Sequence, residues 1–192
     1  MRAACILLCA LLVPVASADN VYTYTFQSLP PGWAAQAGWT FGLSGAVLSI
    51  SASGGPGMSV SSEIQSDSAP LTMYSGTDSV NVSLTCTYSL TGWYSSGESY
   101  ASVSAYALLD GVSHTIMYDS ESWGFPNQEP SAVYDCSFPA SEGQSLVFSF
   151  TGSAGAFGAY AHVDWNITSL VVTVFGPTSL DLQTWGGIKS LF

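Results

Sequence analysis

The ten residues Ser79-Val80-Asn81-Val82-Ser83-Leu84-Thr85-Cys86-Thr87-Tyr88 alternate strictly between polar and apolar side chains. Successive side chains of a β-strand point to opposite faces, so the two valines, Leu84 and Cys86 fall on one face and the Ser, Thr and Asn side chains on the other. The pattern predicts an antiparallel strand with one face in a core and the other, including Asn81, towards water.

Similar segments recur along the chain, short and rich in Val, Thr, Tyr, Phe and Ser, and none follows a helical period. We predict further strands at residues 21–27, 46–51, 58–65, 100–109, 112–118, 132–138, 145–151, 159–165 and 169–175. The pair Asp110-Gly111 favours a type I′ turn and predicts a two-residue hairpin. About ten such strands predict an all-β, antiparallel β-sandwich of the jelly-roll type. An immunoglobulin-type sandwich is the alternative, although the chain is long for one.

Composition narrows the class of protein. The chain has 192 residues, 47% of them hydrophobic and only 8% charged, and a net charge of -11. It is long enough for one domain with a core, and intrinsic disorder by high net charge is excluded. The negative charge disfavours nucleic acid. The chain has only two Lys and Arg residues in all. It therefore lacks the basic side chains that bind phosphate, sulfate or acidic polysaccharides.

Residues 1–18 have the layout of a secretory signal peptide: Arg2, an apolar run, and Ala16-Ser17-Ala18 before Asp19. The alternative, a membrane-spanning helix, needs about twenty apolar residues, and Pro14 interrupts this run. We therefore expect a secreted or cell-surface protein with no membrane span after cleavage. Residues 19–176 form the predicted sandwich domain, and residues 177–192 form a tail that is either a sorting segment or a segment docked on the sandwich.

Removal of the leader leaves two cysteines, Cys86 and Cys136. Two cysteines in an oxidising compartment predict one disulfide. By closing a loop in the unfolded chain, it would stabilise the folded state by about 4 kcal/mol through chain entropy. Two buried thiols are the alternative. Two sequons, at Asn81 and Asn166, are glycosylation sites if the source glycosylates.

Three groups of motifs together resemble a known family. They are Tyr24-Thr25-Phe26 with Leu29-Pro30-Pro31-Gly32-Trp33 and Gly38-Trp39; the turn Leu109-Asp110-Gly111; and Ala161-His162-Val163-Asp164-Trp165-Asn166-Ile167 before Val171-Val172-Thr173-Val174. In this order they resemble extracellular jelly-roll domains of the choice-of-anchor and cleaved-adhesin type, which are similar to MAM-like domains. The resemblance spans about residues 19–175 and implies a non-catalytic module for adhesion or carbohydrate binding.

Two segments outside the predicted strands carry aromatic side chains beside polar ones. Their candidate ligand-binding residues are Trp93, Tyr94, Trp123, Phe125 and Asn127. Flat rings offer stacking area to a sugar, and neighbouring amides and carboxylates orient it by hydrogen bonds. The alternative is that Trp93 and Trp123 cap the ends of the core. Trp33 and Trp39 are assigned to the core or an edge.

A calcium ion shared by Asp19 and Asp164 is a further hypothesis, since both acids lie near terminal strands that we expect to be neighbours. The alternative is that both are solvated. We expect no other cofactor, and the scattered histidines disfavour zinc.

The sequence supports a catalytic function less than a binding function. A glycoside hydrolase needs two carboxyl groups facing each other across a cleft. Of the glutamates, only Glu63 lies in a clear predicted strand, while Glu98, Glu121, Glu129 and Glu142 are predicted in loops. We therefore expect no enzyme but a binding or adhesion module for a neutral glycan or a surface protein. A self-associating structural protein of a surface layer or matrix is the alternative, and a glycoside hydrolase is the second.

Overall fold

Two six-stranded antiparallel sheets make up the part of the chain that the computed structural model describes, residues 19–93, 98–122 and 127–176. Of Trp93 and residues 127–130 it describes the backbone alone. The strands are β1 (Asn20–Tyr24), β2 (Ala34–Ala35), β3 (Trp39–Gly42), β4 (Gly45–Ser53), β5 (Ser59–Asp67), β6 (Leu71–Thr72), β7 (Ser79–Trp93), β8 (Glu98–Leu109), β9 (Val112–Ser122), β10 (Asn127–Pro139), β11 (Ser145–Phe157) and β12 (Tyr160–Phe175). Within these ranges no helix is long and apolar enough to cross a membrane.

The first sheet has the strand order β10-β7-β12-β4-β3, with β1 pairing the second half of β12. The second sheet has the order β2-β5-β11-β8-β9, with β6 pairing the start of β11. The connections from β7 to β8 and from β9 to β10 pass from one sheet to the other. The prediction of an all-β antiparallel sandwich of the jelly-roll type is confirmed, with twelve strands in the described residues where about ten were expected.

The core lies between the two sheets and follows the alternation of the sequence. On β7 the side chains of Val80, Val82, Leu84 and Cys86 are fully buried, as predicted. Trp165 of β12 is buried against Phe150 of β11, with ring centroids 6.1 Å apart. Aromatic pairs of this kind add to the free energy of burial and join the two sheets.

The tryptophans assigned to the core or an edge are where we expected them. Trp33 is buried and stacks on Phe150 at 6.0 Å, while the half-buried Trp39 packs against Trp165 at 5.7 Å.

The predicted hairpin at Asp110-Gly111 is also confirmed. Leu109 pairs with Val112, so the turn has two residues, and both have positive φ, 48° and 81°. Positive φ at both central positions is what a type I′ turn requires. Asp110 also accepts a hydrogen bond from the backbone N–H of Ser145 at 2.8 Å, which fastens the turn to β11.

The strand predictions differ from the structure in two respects. Residues 159–165 and 169–175 belong to one long strand, β12, in which a bulge after Ile167 interrupts the alternation. The short strands β2, β3 and β6 were not predicted, because β2 and β6 have two residues each and β3 has four, too few to show a period.

The predicted disulfide between Cys86 and Cys136 is wrong. The two cysteines are on paired strands, but Cys86 lies opposite Ala132 and Cys136 lies opposite Val82. Four residues of strand separate them, about 13 Å, whereas a disulfide needs Cα atoms within about 7 Å. The thiol of Cys86 instead contacts the sulfur of Met117 in the core at 3.6 Å.

Candidate functional site

The predicted ligand-binding residues belong to two connections at one end of the sandwich. Trp93 ends β7 with its backbone opposite Tyr160, and Asn127 begins β10 opposite Leu90. Tyr94, Trp123 and Phe125 lie outside the described residues. The flanking strands are neighbours, since Tyr100 near the start of β8 pairs with Ser122 at the end of β9. The two connections therefore leave the same end of the molecule, and their role in binding stays a prediction.

Next to this end, the outer face of the second sheet carries two exposed aromatic rings. Tyr100 on β8 is 47% exposed and Tyr118 on β9 is 62% exposed. Tyr118 lies opposite Ser104, four residues along β8 from Tyr100. The two tyrosines are thus about 14 Å apart along the strands, on one face. We call this surface the tyrosine face. It includes the two rings, the serines between them and Glu63 on β5.

Tyr100 rests on a glycine of the neighbouring strand. Gly155 of β11 lies opposite Tyr100, and a Cβ atom at that position would come within 2.0 Å of Cε1 of the tyrosine ring. The ring therefore occupies the space that a side chain on β11 would take. A large side chain at residue 155 would displace the ring from the sheet.

Tyr118 owes its outward direction to a β-bulge. Thr115 pairs with Tyr106 and Met117 pairs with Ala105, so Ile116 is an extra residue on β9. Because strand side chains alternate, this insertion reverses the direction of every later side chain on β9. Ile116 and Met117 are both buried, and Tyr118 points to solvent.

A hydrogen bond between the sheets holds β9 next to Tyr118. The hydroxyl of Tyr88 on β7 donates to Oδ2 of Asp119 at 2.6 Å, and Tyr134 of β10 lies beside it, with its hydroxyl 3.5 Å from that of Tyr88. Burial raises the pKa of Tyr88 well above its usual value, and the hydrogen bonds to Asp119 and Tyr134 raise it further. The neutral phenol therefore stays the donor at all physiological pH values, and this bond fixes the residue adjacent to Tyr118.

Small polar residues cover the sheet between the two rings. One row across the strands consists of Glu63, Ser153, Ser102 and Ser120. It lies between the row of Tyr100 and the row of Tyr118, and in it the Ser153 hydroxyl donates to Glu63 at 3.3 Å. In the row of Tyr118, the side chain of Gln65 donates to Asp67 at 2.9 Å. The hydroxyls of Ser102 and Ser120 thus lie between the rings, and the amide and carboxylate groups of β5 lie beside them, two strands from Tyr100.

Of the five glutamates considered for glycoside hydrolysis, Glu63 lies in a strand and Glu142 in a turn, as expected, and the other three do not lie where expected. Glu98, Glu121 and Glu129 lie on β8, β9 and β10 rather than in loops. On the tyrosine face, Glu63 and Asp67 are four residues apart on β5, so their Cα atoms lie about 13 Å apart.

The structure does not bring Asp19 and Asp164 together, which corrects the shared calcium site. Residue 20 lies opposite Val174, ten residues along β12 from Asp164 and so about 30 Å away. Asp164 instead pairs with His162, whose Nε2 is 2.9 Å from Oδ2 of the aspartate. Among the residues with described side chains, no three His, Cys, Asp or Glu side chains form a group that could hold a metal ion.

Asp164, His162 and Tyr160 lie on the outer face of the first sheet. Burial raises the pKa of Asp164, but hydrogen bonds from Ser49 and His162 and the nearby imidazole lower it more, so the net pKa falls below its usual value. The imidazole of His162 stacks on Tyr160, with ring centroids 6.1 Å apart and planes 13° apart.

The two sequon asparagines, Asn81 and Asn166, are half-buried on this same outer face. Asn81 accepts a hydrogen bond from Ser137 at 2.9 Å, and the side-chain oxygen of Asn166 is buried. Their glycosylation stays a prediction.

Sequence reasoning missed Tyr100 and Tyr118 as site residues because both belong to predicted strands, where an aromatic ring is as compatible with the core as with the surface. For Tyr100 the alternation of residues 100–109 indicated one face but not which face is outside. For Tyr118 the signal was the pair Ile116-Met117, two adjacent apolar residues that break the alternation.

Comparison with known proteins found similar chains among the solved structures. No protein-family model matches the sequence, and no curated protein matches it. A solved structure described as the CBM22-1 xylan-binding domain from Paenibacillus barcinonensis Xyn10C is similar to 85% of this chain and 99% of its own, with 14% sequence identity and a TM-score of 0.34.

Proposed function

We propose that the protein is an extracellular, non-catalytic module that binds a neutral glycan on the tyrosine face. The observation that carries this proposal is the pair of exposed rings, Tyr100 and Tyr118, on one face of one sheet, at backbone positions about 14 Å apart along the strands. Two rings at this spacing can stack on separate sugar rings of one chain. Aromatic surfaces with a few well-placed polar groups are typical of ligand sites.

The ring of Tyr100 and the strand that carries Tyr118 are held in place before a ligand arrives. Tyr100 packs over Gly155, and the neighbours of Tyr118 are fixed by the bulge at Ile116 and by the bond from Tyr88 to Asp119. Side chains that are ordered in advance lose little entropy on binding, which favours affinity.

The polar groups between the rings fit a sugar. Ser102 and Ser120 offer donors and acceptors on the two strands that carry the rings, Ser153 does so on the strand next to Tyr100, and Glu63 offers a carboxylate two strands from Tyr100. Sugar hydroxyls can donate to the carboxylate and exchange hydrogen bonds with the serine hydroxyls. The face therefore combines apolar area for the sugar ring with hydrogen bonds that orient it.

The charge of the chain supports a neutral ligand. The two basic residues Arg2 and Lys189 both lie outside the described residues, so His114 and His162 are the only side chains in the described part of the chain that can carry a positive charge for an anion. Sulfated or uronic acid polymers would meet repulsion from Glu63 and Asp67. The predicted loop residues Trp93, Tyr94, Trp123, Phe125 and Asn127 would extend the site at the end of the sandwich where Tyr100 lies.

The proposal is tested by binding of the purified protein to immobilised polysaccharides, neutral ones (xylan, cellulose, galactomannan) beside acidic ones (pectin, heparin), with calcium and with a chelator. We expect binding to a neutral polymer that the chelator does not change. Binding to the acidic polymers alone, or to none of the set, would contradict the proposal.

A further inference from the structure

The outer face of the first sheet carries a second arrangement of ring and carboxylate, separate from the tyrosine face. Tyr160 and Asp164 are four residues apart on β12, and both point to solvent, with exposed fractions of 39% for the tyrosine and 56% for the aspartate side chain. His162 lies between them, 26% exposed, and contacts both. We call these three residues the Tyr160 patch.

The contacts within the patch fix both ends of it. The imidazole stacks on the tyrosine ring at 13° and pairs with the carboxylate at 2.9 Å. Asp164 also accepts a hydrogen bond from the side chain of Ser49 on β4, which further orders its carboxylate. The ring and the carboxylate are thus ordered on either side of the imidazole that contacts both.

Hydroxyl groups border the patch on both sides. On β4, Ser49 and Ser51 lie opposite Asp164 and His162, and on β7 the corresponding residues are Ser89 and Thr91. Residues directly opposite in paired strands point to the same face, so these hydroxyls share the outer surface with the patch. A stacking ring, an oriented carboxylate and flanking hydroxyls are the groups that recognise a sugar with several free hydroxyls.

We infer that the Tyr160 patch is a second binding site for a neutral sugar and that one chain therefore binds two glycan segments on opposite faces. This inference rests on the proposed function for the class of ligand, but it concerns different residues on a different sheet. The two sheets of a sandwich pack about 10 Å apart with their outer faces directed away from each other, so an oligosaccharide that lies along one face does not lie on the other. A module with two such sites cross-links polysaccharide chains.

The test counts binding sites by calorimetric titration of the purified protein with neutral hexasaccharides prepared from xylan, cellulose and mannan. We expect two sites per chain in the unchanged protein. Tyr160→Ala should leave one site, Tyr100→Ala with Tyr118→Ala should leave one site, and all three together should leave none. Leu43→Ala, a fully exposed position in the turn between β3 and β4, is the control that should keep both sites.

The outcomes separate the two proposals. A single site that the tyrosine-face variant removes and Tyr160→Ala leaves unchanged overturns the second site and keeps the proposed function on the tyrosine face. A single site that only Tyr160→Ala removes supports the patch and overturns the assignment of the tyrosine face. The absence of binding to every hexasaccharide overturns both.

Further variants and measurements test whether each substitution acts through the ring or the carboxylate and whether the variant still folds. Tyr160→Phe keeps the ring and should keep the site, whereas Asp164→Asn keeps the shape of the side chain and should weaken the site on this face alone. The circular dichroism spectrum of each variant should match that of the unchanged protein. As a second readout, long chains of the polysaccharide whose hexasaccharide binds should precipitate with the unchanged protein and not with Tyr160→Ala; equal precipitation by both would contradict the cross-linking role.

Discussion

The ring of Tyr100 on β8 fills the space above Gly155 on β11, so that a Cβ atom at residue 155 would lie 2.0 Å from the ring carbon Cε1. Glycine at this position weakens the intrinsic preference for a strand, but it lets an aromatic ring rest on the sheet. The contact links a residue with no side chain to the exposed ring on which the proposed function depends.

We predict that Gly155→Ala moves the Tyr100 ring off the sheet at small cost. The atoms that the new methyl would meet are at the far end of a flexible side chain, so the free energy of unfolding should fall by less than about 1 kcal/mol. In a Tyr100→Ala background the same substitution should cost nothing further, which urea denaturation of the four proteins in the cycle can measure.

Gly152→Ala provides the contrast on the same strand. A Cβ there would point into the core and lie 2.3 Å from Cδ2 of Leu48, so we expect a larger loss of about 1–3 kcal/mol. Equal losses for the two alanine variants would contradict the described position of Tyr100.

The hairpin turn should depend on one glycine. Gly111 has a φ of 81° and no atoms near the position of a Cβ, so Gly111→Ala should cost about 1 kcal/mol of unfolding free energy through backbone strain alone. Gly42 is the matched control: it too has open space around it and does not have a positive φ. If thermal or urea unfolding gives the same loss for Gly42→Ala, the assigned turn is incorrect.

The bond from Tyr88 to Asp119 predicts sensitivity to alkaline pH. The pKa of Tyr88 is higher in the folded chain than in the unfolded chain. At alkaline pH the folded chain therefore retains the phenolic proton that the unfolded chain loses. The stabilisation is complete below about pH 10, the ordinary tyrosine pKa, and decreases as pH rises above it. Tyr88→Phe should cost about 1–2 kcal/mol at neutral pH and reduce the loss of stability between about pH 9 and 11. An unchanged alkaline profile in urea titrations of the variant would show that other groups control it.

The register of β7 and β10 predicts that Cys86 and Cys136 carry thiols. Burial raises the pKa of Cys136, which lowers its reactivity in the folded chain. A chain lacking residues 1–18 should therefore gain two alkylation adducts when denatured without reductant, at Cys86 and Cys136. A mass that shows no adducts without reductant and two with it would demonstrate the disulfide and contradict the register.

The features that the sequence predicts well are local. The alternation around Leu84 identifies the inward face of β7, and Asp110-Gly111 identifies the hairpin, because each depends on neighbouring residues alone. The prediction of the disulfide was wrong because it depends on residues that are not neighbours in the sequence. Whether Cys136 lies opposite Cys86 or Val82 depends on the register of two strands that are distant in sequence, and alternation is the same in every register shifted by two residues.

The tyrosine face shows the same division. The strand bearing Tyr100 was predicted, but its contact with Gly155 depends on the pairing of β8 with β11, and the direction of Tyr118 depends on the bulge at Ile116. Both are properties of how strands meet. The predicted loop residues, in contrast, were chosen by composition, and the structure adds only that their strands end beside Tyr100.

The most direct test of the proposed function is a chemical-shift titration of the isotope-labelled protein with the neutral hexasaccharide that binds it. If the tyrosine face is a sugar site, the resonances of Tyr100, Ser102, Ser104 and Tyr118 should shift in a saturable way, with the ring signals of the two tyrosines among the largest. Saturable binding that leaves all four residues unshifted would contradict the account.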